Sequence, residues 1–310
     1  MSKTQSTLRI REKANLDREI DAFLIDRQAR GLSPRTVKYY EGKLGLLREY
    51  LTTRGIVAVE SINAPILRRL LLELSTTHNP GGVHCIYRAV RAFLNWYEAE
   101  VEPEGWSNPI AKVNPPKLSQ EPLEPVSLED LRAMLATCRS KSLMDRRDKA
   151  ILLVLLDTGL RASEFLAVDI GDIDMATGSI LVRRGKGSKF RTAFVGSKAR
   201  RALVSYLRMR LHLGDAKPLF ATLSGNRLTY SGLRCAVRRR AARAGVEPAP
   251  TLHSFRRAFA IACLRNGVDI FSLQRLMGHA GLSILRRYLA QTQEDLRRAH
   301  QRAGPVDNML

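Results

Sequence analysis

The sequence predicts a mainly α-helical chain in two domains, the second carrying one small antiparallel β-sheet. Three observations predict it. Apolar residues recur every three or four positions along most of the 310 residues, the spacing of amphipathic helices. A proline-rich stretch over 101–126 breaks that pattern, because helix interiors do not tolerate such a density of proline. Only one segment, "SILVRRGKGSKFRTAFVG", alternates as paired strands do. With 45% hydrophobic content the chain can fill one large core or two smaller ones, and its Leu, Ile and Val argue against disorder.

Residues 1–14 read as an N-terminal arm. The first helix has its apolar face at Leu16, Ile20, Phe23 and Leu24 and ends at Gly31. Ser33 is then an N-cap with Pro34 at the first helical position, and the second helix runs to about Thr53. Two more helices are expected over 64–75 and 82–99, completing a helical domain over 15–100. Residues 101–126 are read as an extended linker. The second domain, 127–310, opens on a capping box in which Ser127 precedes Asp130. "DKAILLVLLDTG" is apolar on all sides and should be a buried helix. "ASEFLAV" follows as a short helix. The two strands come next, joined by a tight turn at Gly185, Gly187 and Ser188. Further helices are expected near 197–213, 229–244, 253–266, 270–277 and 281–289, with a last one over 293–303 that starts at Thr292. Internal repeats and low-complexity tracts are absent from the sequence.

Composition narrows the functional classes. The longest apolar run, "AILLVLL", falls far short of the ~20 residues of a membrane span, and the first residues lack the apolar core of a secretion signal. The cytoplasm is the expected compartment. Cys85, Cys138, Cys235 and Cys263 are scattered, which fits thiols in a reducing compartment better than a disulfide frame or a zinc site. The net charge of +21 implies a polyanionic partner, with nucleic acid ahead of anionic membrane. Residues 1–126 carry only +3 of it and residues 127–310 carry +18, so the second domain should bear the main electrostatic footprint.

Within that domain several residues stand out. Arg161 lies where a buried helix breaks at Gly159. A guanidinium there either meets an anion or has a bland role, snorkelling to solvent or pairing with Glu164. Lys186 sits in a glycine-flanked turn; it is either an ordinary polar turn residue or a lysine able to swing onto a phosphate or leaving oxygen. His253 and Arg256 are three apart and share one face at the start of a helix, whose N-terminus favours anions. Phe255, Phe259, Ala262 and Cys263 are its expected core stripe. His279 and Tyr288 close the set. Two arginines, two histidines, a lysine and a tyrosine suit transfer of a phosphodiester. Guanidiniums clamp the non-bridging oxygens, a lysine or histidine protonates the leaving alkoxide, and cations make a phenol usable as nucleophile.

The chain resembles the tyrosine recombinases of the phage integrase family. The matching motifs are "TGLRASE", "GKGSKFR", "HSFRRAFA", "LMGHAGLS" and Tyr288, in family order and spacing. The first half is similar to the family's helical, SAM-like core-binding domain through "GLSPRTVKYY" and "NPIAKVNPPK". The resemblance covers about residues 15–303 and implies a catalytic α+β domain over 127–310. It implies that Arg161 and Arg256 bind the scissile phosphate and that Lys186 is general acid for the 5′-oxygen. His253 would assist proton transfer, His279 would hydrogen-bond the phosphate, and Glu164 would brace the site through Arg161 or His253. Tyr288 would form a covalent 3′-phosphotyrosine. Neither metal nor ATP would be required. The implied partner is double-stranded DNA, recombined at paired sites by a homo-tetramer whose trailing helix docks on a neighbour, and the arrangement admits accessory DNA-bending proteins. The chain departs from the family pattern at Ile284–Arg287, Leu289, Ala290, Phe255 and Arg257, which favours a mobile-element integrase over a housekeeping Xer-type enzyme. The alternatives are relaxation of DNA in the manner of a type IB topoisomerase, against which the trailing helix speaks, and a non-catalytic DNA-binding relative, against which the full set of catalytic residue types speaks.

Overall fold

A computed structural model describes residues 15–118, 124–183, 190–210 and 217–278, with positions 297, 300, 301, 304 and 306. The chain divides into two compact units, Met1–Glu121 and Pro122–Leu310.

The first unit is a set of four helices, α1 (Leu16–Ala29), α2 (Pro34–Thr52), α3 (Ala64–Thr77) and α4 (Pro80–Val101). Each starts on a short polar side chain that accepts a backbone amide of the first turn: Asn15, Ser33, Asn63 and Asn79. Proline stands in the first turn of α2, α3 and α4, where its missing N–H costs nothing. The apolar faces meet in an aromatic core. Phe23 packs edge-on to Tyr40 and Phe93 at 5.2 and 5.7 Å between ring centroids.

The stretch expected to be an extended linker is partly built into this core. Residues Pro109–Lys112 form a 3₁₀ turn capped by Asn108. Ile110 and Val113 are buried with the helices, Trp106 meets Tyr97 edge-on, and the Tyr87 hydroxyl donates to the Val113 carbonyl at 2.9 Å. The prolines do exclude an α-helix, but a 3₁₀ turn accepts one at its first position. The apolar residues between the prolines still need burial.

The second unit holds α5 (Leu128–Ala136), α6 (Leu143–Thr158), α7 (Ala162–Ala167), strands β1 (Ser179–Val182) and β2 (Arg191–Phe194), then α8 (Ser197–Met209), α9 (Tyr230–Ala244), α10 (Leu252–Arg265) and α11 (Ile270–Met277). Helix α6 is the axle. It packs against α8, α9 and α10 and buries Ala150, Ile151, Leu152, Val154 and Leu155, as a helix apolar on all sides must. The strands pair antiparallel from Ser179↔Phe194 to Val182↔Arg191. The tight turn expected at Gly185, Gly187 and Ser188 falls in residues 184–189, which lie outside the described residues. The helices expected at 281–289 and 293–303 also lie outside them, apart from the isolated positions given above. No helix among the described residues is long and apolar enough to cross a membrane. The four cysteines are free thiols.

Helix α10 departs from its expected core stripe. Phe255, Ala258 and Ala260 are buried, and Ala262 is exposed. The helix has two neighbours rather than one. Phe255 and Ala258 join the main core of the unit, while Ala260, with Phe259 and Cys263 beside it, meets Leu273 and Met277 of α11.

The start of α6 is tied to α9 by buried charge. Arg240, 1% exposed, donates from Nε to Asp148 at 2.9 Å, from Nη2 to Asp145 at 2.7 Å and from Nη1 to the Thr137 carbonyl at 3.1 Å. Removing one partner of such a network strands the other charge in a dry interior. Asp148→Ala is expected to destabilise the second unit by ~3–5 kcal/mol. Urea unfolding followed by circular dichroism measures this, since Trp96 and Trp106 both lie in the first unit. A loss near zero would mean that Asp145 alone satisfies Arg240.

Candidate active site

The site is assembled where α6 ends. Gly159 terminates α6 with a left-handed backbone, φ +56°, and a β-carbon there would lie 2.3 Å from the Phe259 ring of α10. Glycine therefore permits both the reversal and the close approach of α10. Two residues later Arg161 is the N-cap of α7. Its amide donates to Glu164 Oε2 at 2.8 Å and its Nη1 to Glu164 Oε1 at 2.8 Å, so the acid in the first turn of α7 reaches back over the helix start.

Glu164 gathers the other arginines. Its side chain is 2% exposed. Arg191, the first paired residue of β2, donates from Nη2 to Oε2 at 2.8 Å. Arg256 of α10 brings Nη1 to 4.0 Å of the same oxygen. The three guanidiniums also share a second set of acceptors, the last carbonyls of α11. Arg191 Nη1 donates to Leu276 O at 2.5 Å, Arg256 Nη2 to Met277 O at 2.7 Å and Arg161 Nη2 to Gly278 O at 3.1 Å. The C-terminal end of a helix carries unpaired carbonyls and partial negative charge, and cations satisfy both. Arg256 closes the ring by donating to Gly159 O at 2.5 Å.

The electrostatics follow from this packing. Burial alone would raise the Glu164 carboxyl. The Arg161 amide, the charge of Arg191 and the two guanidinium hydrogen bonds outweigh it and hold the pKa below its ordinary 4.5. His253, one turn before Arg256 on α10, is also lowered, which for a base favours the neutral form. Desolvation by its surroundings comes first, then the positive charges of Arg257, Arg256 and Arg161, and together they lower its pKa from 6.5.

Of the residues singled out in the sequence, the fold brings together Arg161, Glu164 and Arg256, with His253 within their electrostatic reach. Glu164 bonds Arg161, the contact that both the bland reading of Arg161 and the brace reading of Glu164 allow, and its second bonded partner is Arg191. Lys186, His279 and Tyr288 lie outside the described residues. The described chain leads to two of them: β2 begins just after the segment holding Lys186, and the C-cap of α11, Gly278, is the residue before His279. Arg191 lies in "GKGSKFR", where the sequence alone assigns it no role. Its signal was there: strand alternation puts it on the face of the buried Ala193, and an inward arginine needs partners.

Comparison with known proteins agrees with the fold. The phage integrase family matches residues 126–295, more than half of the chain. The tyrosine recombinase XerC of Oceanobacillus iheyensis is 31% identical over 300 residues, covering 94% of this chain and 96% of that protein. A structure of XerH recombinase in a post-cleavage complex with its difH substrate is 20% identical with a TM-score of 0.72, covering 93% of this chain and 84% of that one. A lambda integrase tetramer bound to a Holliday junction is 16% identical with a TM-score of 0.73, covering 90% and 78%. The chain belongs to the phage integrase family of tyrosine recombinases. It is an enzyme of site-specific DNA recombination that breaks and rejoins DNA strands.

The depressed Glu164 pKa has a consequence for stability. A carboxyl that titrates lower in the folded state contributes stability that is complete above its unfolded value, near 4.5, and is lost as pH falls through the folded value. Glu164→Gln should therefore be less stable than the parent at pH 7, and the gap should narrow below pH 4.5. Denaturant unfolding at pH 7 and pH 4 tests this. A gap independent of pH would show that the glutamine merely packs worse.

Proposed function

We propose that Tyr288 is the nucleophile of this recombinase, and that Arg161, Lys186, His253, Arg256 and His279 complete its catalytic set with Glu164 as brace. The phenolic oxygen attacks the scissile phosphorus and the bond from phosphorus to the 5′-oxygen breaks. Lys186 gives its proton to the departing oxygen, and His253 takes the phenolic proton. Arg161 and Arg256 hold the non-bridging oxygens, joined by His279. The phosphotyrosine retains the energy of the broken bond, so the 5′-hydroxyl of another strand can reverse the step.

The observation that carries this reading is the convergence of Arg161 and Arg256. They come from α7 and α10, and both reach the backbone immediately before His279. Arg161 keeps its side chain 39% exposed, so part of the guanidinium faces solvent where a phosphate can reach it. The lowered pKa of His253 supports its part, because an imidazole that is neutral at physiological pH can accept a proton. The reading includes a homo-tetramer on paired double-stranded sites at the nucleoid, with the trailing segment docking between neighbours; the lambda integrase tetramer on a Holliday junction supports it as an analogy of fold.

The deciding experiment uses a nicked suicide substrate that traps the covalent intermediate. Tyr288→Phe should retain DNA binding and form no adduct. Mass spectrometry that places the DNA on Tyr206 or Tyr230 would overturn the assignment.

The pH profile of cleavage tests His253 separately. Because its pKa is lowered, the acid limb of the rate should fall below pH 6.5, and His253→Gln should slow cleavage and abolish that limb. Persistence of the same limb in the variant would move the proton-accepting role to another group.

A further inference from the structure

We propose that Arg191 is a positioning residue for strand cleavage: its guanidinium joins Glu164 to the end of α11 and so fixes where the chain delivers His279. The inference rests on the catalytic reading above.

Three observations carry it. First, Arg191 ties Glu164 to the end of α11 from the sheet side, beside the ties that Arg161 and Arg256 make from α7 and α10. Nη2 donates to Glu164, which holds Arg161, and Nη1 donates to Leu276 O, two residues before Gly278. Second, Gly278 is shaped to it. Gly278 ends α11 at φ +63°, and a β-carbon on it would lie 2.7 Å from both Cδ and Nε of Arg191. The chain thus turns toward His279 directly over the stem of this side chain. Third, Arg191 is the first paired residue of β2, opposite Val182. It anchors the strand at the point where the segment bearing Lys186 returns to the sheet. One side chain therefore meets the brace of the phosphate-binding arginine, the approach to His279 and the base of the Lys186 segment.

A role in stability alone accounts poorly for this choice. The side chain is only 12% exposed, and its Nε is buried with no hydrogen-bond partner. A buried ion pair with an unmet donor is weak as a net source of folding energy, and an apolar pair in the place of both partners is often as stable. What an apolar residue cannot supply is the planar fork that reaches a carboxylate with one nitrogen and a carbonyl with another. Lysine, with one ammonium, keeps the charge and loses the simultaneous reach.

The test compares the full-length parent with Arg191→Met, Arg191→Lys and Tyr288→Phe. Thermal unfolding, affinity for a single-site duplex and the rate of covalent adduct formation at saturating protein are measured for each. Arg191→Met leaves Glu164 with Arg161 and Arg256 and is expected to lose some thermal stability, so cleavage is read well below its unfolding temperature, where it should bind within about 2-fold. It should cleave about 10²-fold more slowly, the size of loss that small misplacement of catalytic groups produces. Arg191→Lys should recover part of that rate. Combined with Glu164→Gln, the loss should be well short of the product of the two single losses, because both variants cut the same tie. Arg191→Met that cleaves at the parental rate overturns the proposal, as does one that, while still folded, loses DNA binding in step with cleavage. A Tyr288→Phe protein that still forms adduct overturns the underlying reading instead, and the two failures are read from separate samples.

Discussion

The buried carboxylate of Glu164 is the constraint on which the second unit's site depends. A lone carboxylate in that interior would be costly. Here it accepts the Arg161 amide and two guanidiniums, with a third at 4.0 Å. Each donor belongs to a different part of the chain: the start of α7, the start of β2 and the first half of α10. Satisfying one acid therefore places three basic groups relative to one another. The same guanidiniums then use the free carbonyls of Leu276, Met277 and Gly278, so the end of α11 is held by charge rather than by packing alone.

Two glycines make this closure sterically possible. Gly159 lets α6 stop and turn while Phe259 of α10 lies where a β-carbon would be. Gly278 does the same for α11 against Arg191. Both adopt positive φ at a helix C-terminus, where glycine caps are common, but close approach adds a second requirement. Alanine at either position would meet backbone strain and a neighbouring side chain at once.

Much of the fold was legible because local physics decided it. Ser33 with Pro34, Ser127 with Asp130, and the all-round apolar α6 carry their own start and burial signals, and each forms as expected. The misses are tertiary. Trp106, Ile110 and Val113 sit among prolines and read as linker, yet they fill the first unit's core. Ala262 fits the helical period of one buried face, but α10 divides its apolar residues between the main core and α11 and leaves Ala262 exposed. In the site, Arg161, Glu164, His253 and Arg256 were visible as residue types at telling places. That Arg191 would be Glu164's other partner was not, because half of its bonding goes to a backbone carbonyl. Side-chain chemistry marks itself in a sequence; the carbonyl it will meet does not.

Among the described residues of the second unit, the charge networks around Arg240 and Glu164 differ in how completely they are satisfied. Around Arg240, Nε, Nη1 and Nη2 all have partners and the acceptors sit at the junction of α5, α6 and α9. That network is closed and dry, with Arg240 and Asp148 both 1% exposed. Around Glu164 the satisfaction is incomplete. Arg191 Nε is buried without a partner, and Arg161 leaves 39% of its side chain open. Unmet polar groups in an otherwise consistent fold are expected where geometry serves chemistry. Most of the +21 charge lies in the second half of the chain, but charge alone would only attract DNA. In the proposed reading, the fixed direction of a few guanidiniums around one carboxylate turns that attraction into an address for a single phosphate.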